Sequence, residues 1–304
     1  MKLLISTFNQ PYLGSLYGAT KPLTDTRDKQ VMRLFILFLA IILSVPAQAQ
    51  ISDLLTSAAL DAMAGRAGRD TVLHERPNYS IWLLVRSDKD GAPETLHDMD
   101  SILFVRRGSA VISLAPALGS APGASRRIEA GPGDFVKIPA GTTHQIEPVG
   151  GHFESLAVRI ATVSATVQAR TGMRPAKGQM PELLKRSEID ATFATSSANR
   201  TIHTAPNFTM NYVIYPESGG PWEAHAGCVD IYFMHTGTAT AQVGGEIQNT
   251  REEVPGEPRG DGVTDARSHA IGPRDLVVIP RDTAHHMAPT AAKLGYVLMK
   301  VWVD

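Results

Sequence analysis

The sequence predicts an all-β protein made of two tandem copies of one domain, with a short helix ahead of the first. The main observation is an internal repeat. Glu94–Thr–Leu–His97, Gly108 and the run Gly133–Asp–Phe–Val–Lys–Ile–Pro139–Ala–Gly141–Thr–Thr–His144 form the first copy; Glu223–Ala–His225, Gly237 and Arg274–Asp–Leu–Val–Val–Ile–Pro280–Arg–Asp–Thr–Ala–His285 form the second. A fixed repeat sets architecture before residue detail is weighed. The second observation is that short β-branched and aromatic runs alternate with Gly, Pro and Asn clusters, as in sandwiches and barrels. The third is length: 304 residues, less a leader, hold two domains of roughly 100–120 residues.

The elements follow in order. Arg33, the apolar run Leu34–Val45 and Ala47–Gln48–Ala49 have the three parts of a secretory signal peptide, with cleavage expected after Ala49 and export to the periplasm or beyond. The apolar run is too short to span a bilayer, so no membrane span is expected in the mature chain. Residues 1–31 fit poorly before such a leader, and Met32 is the expected start. Residues 51–66 read as an amphipathic helix. Strands are predicted at 80–86, 102–105, 110–114, 134–138 and 155–160. A polar segment at 166–199 links the halves, with a helical turn at 181–184. Strands resume at 209–215, 231–234, 239–243, 275–279 and 296–303. The expected partition is therefore 1–49 upstream extension and leader, 70–165 first barrel, 166–199 linker and 200–304 second barrel. Between its glycine turn and its Pro-His segment the second copy takes 37 steps (237 to 274) against 25 (108 to 133). The excess, residues 244–266, reads as a surface loop placed to cover a ligand.

Composition excludes several classes. A net charge of −1 with no long basic run lacks the footprint for nucleic acid. The single cysteine, Cys228, excludes an intramolecular disulfide framework and a cysteine zinc cluster.

The string Gly133-x5-Pro139-x-Gly141-x2-His144 resembles the second motif of the cupin superfamily, and the segments ending at Gly108 and Gly237 resemble diverged forms of the first. The resemblance covers about residues 75–165 and 200–304 and implies a bicupin, two tandem jelly-roll barrels. In metal-binding cupins the first motif gives two histidines as His-x-His and a glutamate seven residues before the glycine; the second motif gives a third histidine. In the first copy the carboxylate position is Ser101, and Thr95 stands where the first histidine would. His97 and His144 remain as pocket residues of a degenerate site, with Asp100 on the opposite strand face. In the second copy the transfer gives His225, Asp230 and His285 as metal ligands. Glu223 is a fourth ligand or the general base. Two histidines and one carboxylate suit non-haem Fe(II), with Mn(II) or Zn(II) as alternatives. The drift of the expected glycine to Asp282 leaves His286 as a competitor of His285.

The resemblance implies a metal-dependent enzyme, dioxygenase- or decarboxylase-like, acting on a small oxygen-rich molecule in the second barrel. The competing expectation is a non-catalytic small-molecule binder or a metal-free epimerase or isomerase. A homodimer is the expected assembly where a sheet edge is left open.

Overall fold

The computed structural model describes residues 53–67, 70–87, 91–115, 125–162, 182–196, 199–216 and 219–302. The expected leader and cleavage site lie outside them. Among the described residues no helix is long and apolar enough to cross a membrane.

The first half forms one sheet. Its strands are β2 (Thr71–Arg76), β3 (Tyr79–Ser87), β4 (Glu94–Thr95), β5 (Met99–Ala115), β6 (Arg126–Ala130), β7 (Phe135–Ile138) and β8 (Thr143–Ala161), preceded in the chain by β1 (Asp53–Leu55) and α1 (Ser57–Ala67). β9 (Leu183–Leu184) and α2 (Arg186–Thr195) come next. The order is β2-β3-β8-β5-β7-β9, with β4 on β8 and β6 on β5. The second half holds β10 (Arg200–Thr204), β11 (Phe208–Pro216), β12 (Trp222–Glu223), β13 (Cys228–Thr236) and β14 (Ala239–Val243). It ends with β19 (Arg267–Ile271), β20 (Leu276–Ile279), β21 (His285–Pro289) and β22 (Lys293–Trp302). Between β14 and β19 lies the inserted stretch. It is not an irregular loop: β15 (Glu246–Gln248) pairs with β18 (Gly262–Thr264), and β16 (Arg251–Glu252) pairs with β17 (Pro258–Gly260), which lies on β12.

The central strands are buried on both faces, and parity decides which core each residue joins. On β5, Leu103 and Val105 fill the first barrel while Ile102 and Phe104 face the second half. On β13, Tyr232 and Met234 fill the second barrel, while Val229, Ile231 and Phe233 join the shared core. Phe233 meets Phe104 at 5.3 Å and Phe135 edge-on at 5.2 Å between ring centroids. The same parity turns Asp230, Lys300 and His285 toward the interior of the second barrel.

The halves exchange their leading segments. β1 pairs with β20 in the second half (Leu54↔Val277), and β9 pairs with β7 in the first (Leu183↔Val136). The helices follow suit: the Ser57 amide donates to Asp275 Oδ1 at 2.6 Å, and the Arg186 amide donates to Asp134 Oδ1 at 2.8 Å. Each helix thus has a free N-terminal amide bonded by an aspartate of the opposite barrel. The predicted helix over 51–66 therefore begins later. Leu54 and Leu55 are taken by β20, and Thr56 Oγ1 accepts from the Ala59 amide at 3.1 Å. The segment expected to be a linker carries β9 and α2, anchored by buried Ile189 and Phe193. The stretch 181–184, read as a helical turn, holds the β9 strand instead.

Backbone register gives the repeat its alignment. Glu94 pairs with His144 and Ser101 with Arg159; Glu223 pairs with His285 and Asp230 with Lys300. The offset is 129 residues before the insertion (94 to 223, 101 to 230) and 141 after it (144 to 285, 159 to 300). The glycine turns match on the same rule. A Cβ on Gly108 (φ 67°) would stand 2.0 Å from the His152 carbonyl, and one on Gly237 (φ 75°) 2.1 Å from the Lys293 carbonyl. Only glycine fits either turn.

Candidate metal centre

β12, the connection that follows it, β13 and β21 bring Glu223, His225, Asp230 and His285 to one end of the second barrel. One ligand atom each from Glu223, His225 and His285 lies within 4.8 Å of the others. Glu223 Oε1 stands 3.9 Å from Nε2 of both histidines. Asp230 Oδ2 is 3.4 Å from His225 Nε2 and 3.7 Å from His285 Nε2. The imidazole centroids are 5.4 Å apart. Ligand atoms about 2.0–2.2 Å from a common ion are themselves about 3–3.5 Å apart, so the cage is slightly wider than a closed coordination sphere.

The second partners of the histidines fix what they point inward. His285 Nδ1 meets the Thr283 carbonyl at 2.9 Å and therefore carries the proton. His225 Nδ1 lies 3.2 Å from Glu257 Oε2, close enough for an ion pair but without hydrogen-bond geometry. His285 Nε2 then presents a lone pair, and the Nε2 atoms of both histidines are buried without a hydrogen-bond partner. Two imidazole nitrogens and two carboxylate oxygens thus converge on one point. Such a set of acceptors is unfavourable in a buried site unless a cation stands among them. The donor set fits a divalent transition ion, and outer carboxylate or carbonyl partners are the usual device for orienting metal-binding imidazoles.

Lys300 complicates the set. Its Nζ lies 3.0 Å from each Asp230 oxygen, and Tyr232 donates to Oδ2 at 3.1 Å. Burial pushes the Asp230 carboxyl up, but the Lys300 charge, then His225 and His285, outweigh it and hold the carboxyl down at about 2. Burial alone would lower the Lys300 ammonium; Asp230 reverses this and raises it. Glu223 is less engaged, with Arg259 Nη2 3.6 Å from Oε2. The contacts therefore reverse the weighting expected from the sequence. Glu223 is the carboxylate free to ligate, and Asp230 is first the partner of Lys300. Burial lowers the His285 imidazole and keeps it neutral. The cage opens into a cleft of about 250 Å³ lined by Asn211, Glu223, His225, Glu257, Arg259 and Lys300.

His285, not His286, is the inward residue. His285 is 2% exposed, whereas His286 stands against the Trp222 ring at 5.3 Å and meets Gln242 Oε1 at 3.1 Å. The turn survives because Asp282 adopts φ 58°, the conformation Gly141 takes at φ 75°. Aspartate tolerates that region better than most residues.

In the first barrel the alignment corrects the expected pair. The Gly141 amide donates to the Leu96 carbonyl and the Asp282 amide to the His225 carbonyl, so Leu96 occupies the place of His225. His97 sits past the end of β4, where the chain bends, and is exposed. The residue meeting buried His144 is Glu94, its Oε2 3.8 Å from His144 Nε2 and in turn held by Arg159 at 3.1 Å. Ser101 is buried at the place of Asp230. Asp100 faces the other way, its carboxylate accepting from Asn207 Nδ2 at 3.1 Å and from the Ala140 amide at 3.0 Å. Burial lowers the His144 imidazole.

Sequence reasoning missed Lys300, Glu257 and Arg259. A signal for Glu257 was present, since the acidic insertion occurs only in the copy that keeps the ligands.

No protein-family model matches the sequence, and a search of curated proteins finds no match. Solved structures do match. A salicylate 1,2-dioxygenase from Pseudaminobacter salicylatoxidans aligns over 89% of this chain and 93% of its own at 10% identity, TM-score 0.57. A variant of that enzyme in complex with gentisate aligns over 94% of each chain at 10% identity, TM-score 0.57. A cupin 2 conserved barrel domain protein from Leptotrichia buccalis aligns over 76% and 88% at 13% identity, TM-score 0.48. At such identities the likeness concerns the fold. That fold is all-β and holds two barrels, one of which bears a candidate metal-binding group.

Proposed function

We propose that the protein is a metal-dependent bicupin enzyme, dioxygenase- or decarboxylase-like, acting on a small oxygen-rich molecule in its C-terminal barrel. The observation that carries this reading is the convergence of two buried, unpartnered imidazole Nε2 atoms with two carboxylates. Glu223, His225 and His285 would hold the ion, and Asp230 would join them when Lys300 releases it. Fe(II) suits two nitrogens and one oxygen ligand with open positions, ahead of Mn(II) and Zn(II). When bound, such an ion polarises a substrate oxygen or activates O₂ beside it.

The chain's own residues supply the rest. The Thr283 carbonyl keeps His285 in the tautomer that faces inward, and Glu257 stands 3.2 Å behind His225 Nδ1. Tyr232 and Tyr296, buried at 5.0 Å between centroids, floor the site and exclude water below it. Burial raises both phenols far above their usual range, so they remain neutral donors. Lys300 spends two of its three N–H groups on Asp230, and Arg259 lines the same cleft. Both favour an oxygen-rich, negatively charged substrate. Export is part of the same proposal and rests on the leader sequence alone.

A second reading rests on Lys300. If that ammonium is the cation of the cage, the site is a metal-free binding or isomerase pocket. Protein loaded separately with Fe(II), Mn(II) and Zn(II) and offered hydroxylated aromatic acids and small oxoacids separates the two. Ion-dependent O₂ uptake or CO₂ release is the expected result; turnover indifferent to every ion overturns the metal reading.

A further inference from the structure

A second cleft, of about 380 Å³, lies between the two barrels and takes corresponding residues from each. Val105 and Met234 stand at the 129-residue offset, as do Arg106 and His235; Pro132 and Pro273 stand at the 141-residue offset, as do Gly133 and Arg274. The cleft is thus built on the axis that relates the repeats. It is separate from the metal centre: His235 is five residues along β13 from Asp230, about 16 Å by strand rise.

Its lining is one-sided in charge. Arg106, Arg107, Arg186, Arg274 and His235 line it, and no acidic residue does. That is unusual in a chain of net charge −1. The acids stand behind the arginines and orient them. Asp61 accepts from Arg106 Nη2 at 2.7 Å, pairs with Arg107, and lies 3.8 Å from Arg274 Nη2. Glu154 holds Arg106 Nη1 at 3.0 Å. Asp190 holds Arg186 Nε at 3.3 Å and His235 Nε2 at 2.6 Å. Asp61 and Glu154 together face the three guanidinium groups of Arg106, Arg107 and Arg274, which leaves one positive charge uncompensated.

Two further observations point to a ligand. The Arg106 side chain is fully buried, yet its Nε has no hydrogen-bond partner. Arg274 holds φ 74°, where the other repeat has Gly133 at φ 91°. A long side chain kept in a left-handed conformation at a cleft is the kind of strain found at functional sites. We infer that this inter-barrel cleft binds a phosphate-type oxyanion, free or as the phosphoryl group of a small organic molecule. Guanidinium groups held in place by acids match the bidentate geometry of phosphate oxygens. Phe104, Met234, Pro132 and Pro273 give an organic remainder an apolar wall. The volume falls within the roughly 300–1,000 Å³ of small-molecule pockets.

The test uses the full mature protein, with inorganic phosphate and glycerol phosphate as probes and sodium chloride at matched ionic strength as control. Saturable binding by calorimetry is expected, with a rise in melting temperature of roughly 5 °C or more at a hundredfold excess over Kd. Tighter binding of glycerol phosphate identifies an organic phosphate as the occupant; equal or weaker binding identifies the free ion. The variants are Arg274→Gly, which also relieves the backbone, and Arg186→Gln, whose side chain is 58% exposed. Together they are expected to weaken binding at least tenfold while leaving the ligand-free melting temperature unchanged. No effect beyond that of chloride, or undiminished binding by the double variant, would overturn the inference.

Discussion

Replacing Lys300 with methionine tests how the second barrel balances its charges. Lys300 is the cation that meets both Asp230 oxygens at 3.0 Å, and Asp230 is 1% exposed. Removing one partner of a buried pair leaves an uncompensated charge and costs about 3–5 kcal/mol. For a chain of this size each kcal/mol moves the melting temperature by about 2–4 °C, so metal-free Lys300→Met is expected to melt about 10 °C lower. The same substitution frees Asp230 to join Glu223, His225 and His285. Divalent ion should therefore stabilise the variant more than the parent; a hundredfold excess over Kd gives about 2.7 kcal/mol for one site. The double variant Asp230→Asn/Lys300→Met removes both charges and should recover much of the metal-free stability. Differential scanning calorimetry with and without Mn(II) reads all three. A metal-free Lys300→Met protein melting within about 2 °C of the parent refutes the reasoning, as does one that the ion stabilises less than the parent.

Four other outcomes are expected. Asp275→Ala removes the cap on α1 and should cost about 1–2 kcal/mol in urea titrations, although Asp275 belongs to the other half of the chain. Deletion of 50–67 should destabilise the C-terminal barrel, read by amide exchange in β20. Asp282→Gly at φ 58° should be neutral or stabilise by up to about 1 kcal/mol, with metal content retained. His203 is buried between the barrels, and burial, reinforced by Lys137 and opposed by Asp100, lowers its imidazole to about 4. The unfolded chain takes up that proton near 6.5, so stability is full above 6.5 and is lost as pH falls toward 4, by about 3 kcal/mol. His203→Phe should flatten that part of the pH–stability curve; a parallel curve removes His203 as the cause.

The repeat made the two-barrel fold legible, because Gly108, Gly237 and the two Pro-His segments are fixed by backbone geometry that side-chain drift does not erase. His225 and His285 were legible for the same reason. Other features depend on distance along the chain. Lys300 is 70 residues from Asp230, and no local pattern links them. His97 was misplaced because motif spacing tolerates a one-residue change, while the pairing of Glu94 with His144 does not. The helix Arg186–Thr195 was hidden because it buries only Ile189 and Phe193, a stripe too thin to stand out from a polar stretch. Its equivalence to Ser57–Ala67 at the 129-residue offset was the signal to follow.

Elemental analysis of the purified protein, beside His285→Ala and His286→Ala, bears most directly on the central claim. The cage predicts about one divalent transition ion per chain in the parent and in His286→Ala, and a near-complete loss in His285→Ala. A parent protein that holds no ion after reconstitution with Fe(II), Mn(II) or Zn(II), or a His285→Ala protein that keeps its ion, would contradict it.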